Sequence, residues 1–159
     1  MTAQAPDFVT VEGVEYAICG IDGQGLFNPW SISLAAPMIS TACRRGHIDR
    51  YTVADGRLRL SAVAVGSMAT HEGRALEEGM SVAGGRVVPV EGWWGATWQI
   101  IGWDLAVPFT GTLLAGRDLV PDPAVPPRSH PAVRYRTVWE FAFDEGRLSA
   151  ALDRSDAGR

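Results

Sequence analysis

The sequence predicts an all-β domain: a single antiparallel β-barrel or curved β-sandwich with at most one or two short helical turns. Two observations carry this. Apolar and polar side chains alternate with period two in several segments, and glycine turn signals recur at short, regular spacing. Helix-forming stretches are scarce. Roughly eight to ten short strands are expected, a number ordinary for such folds.

Taken in order, Phe8–Val11 and Val14–Cys19 read as the first strands, separated by Gly13. Ser40–Arg45 reads as a single helical turn, since Ser40 and Thr41 suit an N-cap and Gly46 suits the position after a helix end. Tyr51–Ala54 and Arg57–Leu60 flank Asp55-Gly56, whose residues supply the positive φ angles of a two-residue turn. In that hairpin Leu58, Leu60, Ala62 and Ala64 are expected to face inward, with Arg57, Arg59 and Ser61 facing water. Glu72–Glu78 is a second candidate helical turn. Strands follow at Arg86–Val90, Trp94–Ile101 and Phe109–Leu114.

The segment from Pro121 to Pro131 holds five prolines in eleven residues, which excludes a helix interior and a central strand. It reads as a long loop inside the single domain 1–159, either a passive connector or a lid or contact segment. The clearest strand comes last. Val133, Tyr135, Thr137, Trp139, Phe141 and Phe143 share one face, and Arg134, Arg136, Val138, Glu140 and Ala142 take the other. A turn at Asp144-Glu145-Gly146 leads back through Leu148, Ala150 and Leu152, expected to face inward again. The likeness of Asp55-Gly56-Arg57-Leu58 to Glu145-Gly146-Arg147-Leu148 is read as shared turn chemistry.

Composition narrows the function classes. At 47% hydrophobic and 20% charged residues, the 159-residue chain can bury a core and is not disordered. A net charge of -4 argues against nucleic acid or an anionic membrane as partner, because both demand a dense basic patch. All 14 basic residues are arginine, so lysine Schiff bases, lysine nucleophiles and a P-loop lysine are excluded. The first residues carry no signal-peptide pattern and no run approaches 18 apolar residues, so a cytoplasmic protein without a membrane span is expected. Cys19 and Cys43 then read as reduced thiols, with their pairing left open.

Candidate binding residues fall in two groups. Trp93, Trp94, Trp98 and Trp103 lie within eleven residues, too many indoles for one strand face. At least one of Trp93 and Trp103 is expected outside the core or on a cavity wall, where tryptophan serves as a ligand or partner contact. Arg44, Arg45 and His47 form the second group, since adjacent guanidiniums can hold a carboxylate or phosphate. His47-Ile48-Asp49 carries no motif of its own. No paired-cysteine or HExxH spacing exists, so neither a metal nor a cofactor is expected. A Gly-x-Ser-x-Gly elbow is missing, and Gly20-Ile21-Asp22-Gly23-Gln24-Gly25 does not fit G-x-G-x-x-G. No catalytic residue is assigned.

Three segments together resemble a family of uncharacterised small bacterial β-proteins. They are Thr41-Ala42-Cys43-Arg44-Arg45-Gly46 with the Asp55-Gly56 hairpin, Phe109-Thr110-Gly111-Thr112-Leu113-Leu114, and Trp139-Glu140-Phe141 with Gly146-Arg147-Leu148. The pattern is a Thr-Ala-x-x-Arg-Gly turn followed by an Asp-Gly hairpin and a Leu-x-Leu strand. The likeness spans residues 41 to 148 loosely and departs at Arg44 and His47, where an aromatic residue and a tyrosine are usual. It implies a shared fold and no activity. Small size, acidic charge, the lack of a catalytic motif and tryptophans that could sit on a rim lead instead to the expectation of a non-enzymatic cytosolic β-barrel that binds a partner protein, as an inhibitor or immunity-type factor. The alternatives are a barrel around a small apolar or planar ligand and an enzyme with dispersed catalytic residues.

Overall fold

The computed structural model describes residues 4–120 and 135–155. The expected proline-rich loop lies outside the described residues. The chain is all-β, with one 3-10 turn at Pro29–Ile32 as its sole helical element among those residues. The strands are β1 (Phe8–Val11), β2 (Val14–Gln24), β3 (Leu34–Ala35), β4 (His47–Ala54), β5 (Arg57–Val65), β6 (Thr70–His71) and β7 (Arg74–Ala75). There follow β8 (Ser81–Val82), β9 (Gly85–Pro89), β10 (Trp98–Ile101), β11 (Leu105–Ala106), β12 (Thr110–Leu119), β13 (Tyr135–Asp144) and β14 (Arg147–Asp153). No helix among the described residues is long and apolar enough to cross a membrane.

Seven strands close into a ring in the order β14-β13-β12-β2-β1-β4-β5, with β14 returning to β5. All pairs in it are antiparallel except β1 beside β4, which run parallel. From β5 the sheet continues outward through β10, β9 and β8, and β3, β6 and β7 form a separate small sheet.

The ring closes where two hairpin corners meet. Asp55-Gly56 and Glu145-Gly146 both take positive φ at both residues, the turn that matches strand twist. Leu58 N–H donates to Gly146 O and Leu148 N–H donates to Gly56 O, each at 2.7 Å. The likeness between the two corner sequences thus has a structural use: each corner supplies the hydrogen-bond partner of the other. Gly146 N–H also donates to Phe109 O at 2.8 Å, tying the corner to the start of β12.

Inside the ring, Val9, Tyr51, Leu58, Leu60, Phe109, Leu113, Phe141 and Phe143 make one buried cluster that continues beneath β9 and β10 through Val87, Ile100 and Trp103. A second, smaller cluster of Ala5, Cys43, Ile48, Ala64 and Ala96 is covered by Phe8, Ile39, Val90, Trp93 and Trp94. Ile48 and Tyr51 both belong to β4 yet join different clusters, so that strand is covered on both faces.

Several expectations need correction. A bulge between Arg50 and Tyr51 of β4 places Ser61 of β5 as an extra residue. Leu58 and Leu60 face the main core as expected, but beyond the bulge Val63 and Val65 do so, and Ala64 turns to the second cluster. A bulge between Ala142 and Phe143 makes Ser149 the extra residue of β14, and beyond it Ala150, Ala151 and Leu152 are all exposed rather than inward. Ser40–Arg45 is not helical. Cys43 N–H donates to Ser40 O at 3.0 Å in an isolated bridge, and the Ser40 hydroxyl accepts from Ala42 N–H at 3.2 Å, a local competitor of helix. Glu72–Glu78 is not helical either, because Glu72-Gly73 is the positive-φ turn between β6 and β7. The strand expected from Trp94 starts at Trp98, since Trp94 and Gly95 both have positive φ.

The two corner glycines differ in one respect that can be measured. A Cβ on Gly56 would meet open space, whereas one on Gly146 would overlap Val107 O. Gly56→Ala should cost about 1–2 kcal/mol, the left-handed backbone penalty alone. Gly146→Ala should cost about 2 kcal/mol more, because backbone must move to admit the methyl. Equal midpoints of the two variants in urea denaturation would contradict this.

Candidate functional site

Strand β4 begins at His47, four residues before the expected start, and this extension builds the site. With period two, His47, Asp49 and Tyr51 share one face, and Ile48 and Arg50 take the other. The parallel pairing of Phe8 with Arg50 brings Asp7, just ahead of β1, beside Asp49. Arg45 comes from the turn leading into β4.

Asp49 is the centre of the cluster and only 2% exposed. His47 Nδ1–H donates to Asp49 Oδ1 at 2.6 Å, and the Tyr51 hydroxyl donates to Asp49 Oδ2 at 3.2 Å. That hydroxyl in turn accepts from Phe27 N–H at 3.0 Å. Asp7 Oδ1 accepts from Asp49 N–H and from an Arg45 NH2 group, both at 2.7 Å. Arg45 also donates from NH1 to Ala5 O at 2.6 Å. The arginine therefore clasps the chain leading into β1 to the turn before β4. The Phe27 ring stands edge-on to His47 at 6.3 Å and leans on Trp103 at 5.9 Å.

Burial dominates the electrostatics. It pushes Asp7 up to about 6; the Asp49 carboxylate adds to this, and Arg45 with the Asp49 N–H bond opposes without cancelling it. The Tyr51 hydroxyl is driven far above its ordinary range by burial, then by Asp49 and Asp7. Burial also raises the two unpaired thiols, Cys19 to about 11, and the Tyr135 hydroxyl to about 12. Both thiols are protonated at neutral pH and are poor nucleophiles there.

Chemically, Asp49 fixes the His47 tautomer so that Nε2 of the neutral ring is an acceptor. The Cys43 thiol donates to the His47 carbonyl at 3.7 Å, but among the described residues no serine, threonine or cysteine side chain hydrogen-bonds to the His47 ring. No group of three His, Cys, Asp or Glu side chains there is placed to hold a metal ion. The cluster is thus a largely buried clasp whose Asp7 and Arg45 side chains line a surface depression of about 310 Å³.

The other sequence candidates lie apart. Trp93 is half-buried in the second cluster, stacked on Phe8 at 5.8 Å with the Arg50 guanidinium 4.4 Å from its centre. Trp94 is half-buried beside it, its carbonyl accepting from the Ser40 hydroxyl at 3.3 Å. Trp98 packs partly buried on the main core, and Trp103 is buried with Nε1–H donating to Val82 O at 3.0 Å. The four indoles divide between two clusters and make no common wall. The Arg44 side chain is exposed, while its N–H donates to Gln4 Oε1. Sequence reasoning missed Asp7, Asp49 and Tyr51. Alternation through His47, Asp49 and Tyr51 was the available signal, hidden by starting the strand too late.

Compared with known proteins, the chain matches no family model, no curated protein and no solved structure.

Because Asp7 titrates higher folded (about 6) than unfolded (3.8), its ionisation opposes folding. Stability should therefore rise as pH falls from 7 through 6 toward 4, by up to about 3 kcal/mol from this group. Asp7→Asn, which approximates the protonated form, should melt above the parent at pH 7.5, with the difference vanishing near pH 4. A variant less stable at both pH values would show that the Arg45 pairing outweighs the burial cost.

Proposed function

We propose that this protein acts by binding another protein, through the small sheet that β3, β6 and β7 form outside the ring. The carrying observation is where its apolar surface lies. Among the described residues the three most exposed large apolar side chains are Trp30 and Met68, each 72% exposed, and Met38 at 58%. All belong to this appendage. Trp30 sits in the 3-10 turn that contacts β3, Met38 follows β3, and Met68 precedes β6, which pairs with β3. The turn is firmly held: the Asn28 side chain accepts from Trp30 N–H at 3.0 Å, and Ser33 O accepts from Glu72 N–H at 3.0 Å. An exposed tryptophan on a hydrogen-bonded turn, with exposed methionines on the segments next to β3 and β6, has the composition of an interface centre.

The surroundings suggest the partner's chemistry. Glu72, Glu77 and Glu78, with Arg74 and His71, line a polar depression of about 460 Å³ beside β6 and β7. Together with the net charge of -4, this fits a partner that offers an apolar pocket rimmed by basic side chains. A ligand enclosed by the ring is the weaker reading, because Phe109, Leu113, Phe141 and Phe143 occupy that interior.

The test is capture from a lysate of the source organism, or with products of neighbouring genes, followed by titration of the purified partner. Trp30→Ala should weaken binding at least about tenfold, as truncating an interface anchor does. Its melting temperature should stay within about a degree or two, since the indole is exposed. Unchanged affinity of the variant, or no partner above background, would count against the proposal.

A further inference from the structure

The depression in front of Asp7 has a composition that the partner-binding reading does not use. Its walls are Pro6, Ile18, Ile21 and Tyr135, and Asp7 and Arg45 line it together. Cys19, also at its edge, is the extra residue of a bulge in β2 opposite the Leu114–Ala115 step of β12. Bulges recur beside binding sites because they bend the strand and free a position from the ladder.

Asp7 and Arg45 are paired with each other, yet neither is fully engaged. Arg45 and the Asp49 N–H both bond to Asp7 Oδ1, and among the described residues Oδ2 accepts no hydrogen bond. The Asp7 side chain keeps 15% of its surface open and Arg45 keeps 32%. Arg45 uses NH1 on Ala5 O and NH2 on Asp7, which leaves further guanidinium N–H groups of the five available to an incoming acceptor. A lone anion here would face the Asp7 carboxylate, and a lone cation would face Arg45. A molecule carrying adjacent positive and negative groups satisfies both. At about 310 Å³ the space lies at the low end for small-molecule sites, suited to one small metabolite.

We propose that this depression binds a free α-amino acid with an apolar side chain. Its ammonium group donates to Asp7 Oδ2, its carboxylate accepts from Arg45, and its side chain lies against Pro6, Ile18 and Ile21. The aliphatic walls favour leucine-like side chains over charged ones. No bond is made or broken; the role is recognition, independent of the Trp30 surface.

The experiment is calorimetric titration of the whole chain with each standard amino acid, up to about 10 mM since sites of this size can be weak. The comparison ligands are isobutylamine-type amines without the carboxylate and carboxylic acids without the amine. An apolar amino acid should bind, and each one-charge analogue should bind at least about tenfold more weakly, having lost one charge-assisted contact. Asp7→Asn should lose about tenfold in affinity while remaining folded, as its melting curve will report. Ile21→Ser, on the exposed rim, should weaken leucine more than glycine. The proposal is overturned if no amino acid binds, if an amine alone binds as tightly as the amino acid, or if folded Asp7→Asn binds undiminished.

Discussion

The contact between two hairpin corners makes this chain a ring. Without the bonds between Leu58 and Gly146 and between Leu148 and Gly56, β14 would have no partner on its side away from β13, and β5, which pairs further along with β11 and β10, would leave its first residues unpaired there. An unpaired strand edge invites pairing with other chains, and the corner contact covers the start of both strands. Closure also encloses the main core, because Phe109, just ahead of β12, and Phe141 and Phe143 of β13 then meet aliphatic residues from β1, β5 and β12. At about 25 cal/mol per Å² of apolar surface removed from water, a cluster of that size is the main favourable contribution to folding. A filled interior leaves recognition to the outside, which is why both proposed surfaces lie there.

Bulges are the second organising device, and they decided what could be read in advance. Both corner hairpins were legible because their glycine turns and period-two patterns are local. So were the first strand and the all-β class. The parity switches at Ser61 and between Ala142 and Phe143 were not, because one extra residue leaves no mark in the sequence. Before each bulge the residues read as inward do pack on the main core; after it, Val63 and Val65 take that face in β5, whereas in β14 the remaining residues are exposed on both faces. The same limit hid β10, where positive φ at Trp94 and Gly95 breaks a run that looks continuous in composition. Trp30 was missed differently. Asn28-Pro29 is sound helix-start grammar, with the asparagine side chain capping and proline at the first position, but it opens only one 3-10 turn.

The Asp7 cluster shows a local cost kept by the fold. Asp49 has all its visible bonding met by His47 and Tyr51, while Asp7 holds a charge that burial and Asp49 both disfavour. A polar group of this kind is tolerated when it orders the chain around it. Here it ties the segment before β1, the turn before β4 and β4 itself together across the one parallel pair of the ring. Since β1 and β4 are far apart in sequence and joined by no hairpin, side-chain bonds rather than a turn set their entry into the sheet. Only the Arg45 and His47 members of this cluster could be named from the sequence, because partnership across a parallel pair depends on topology.

Amide hydrogen exchange at Leu58 and Leu148 tests ring closure most directly. Both N–H groups should exchange only through global unfolding, as slowly as the central amides of β12 and β13. Exchange at these two positions on the timescale of an exposed turn, with the rest of β5 and β14 still protected, would mean that the corners do not meet and the ring is open.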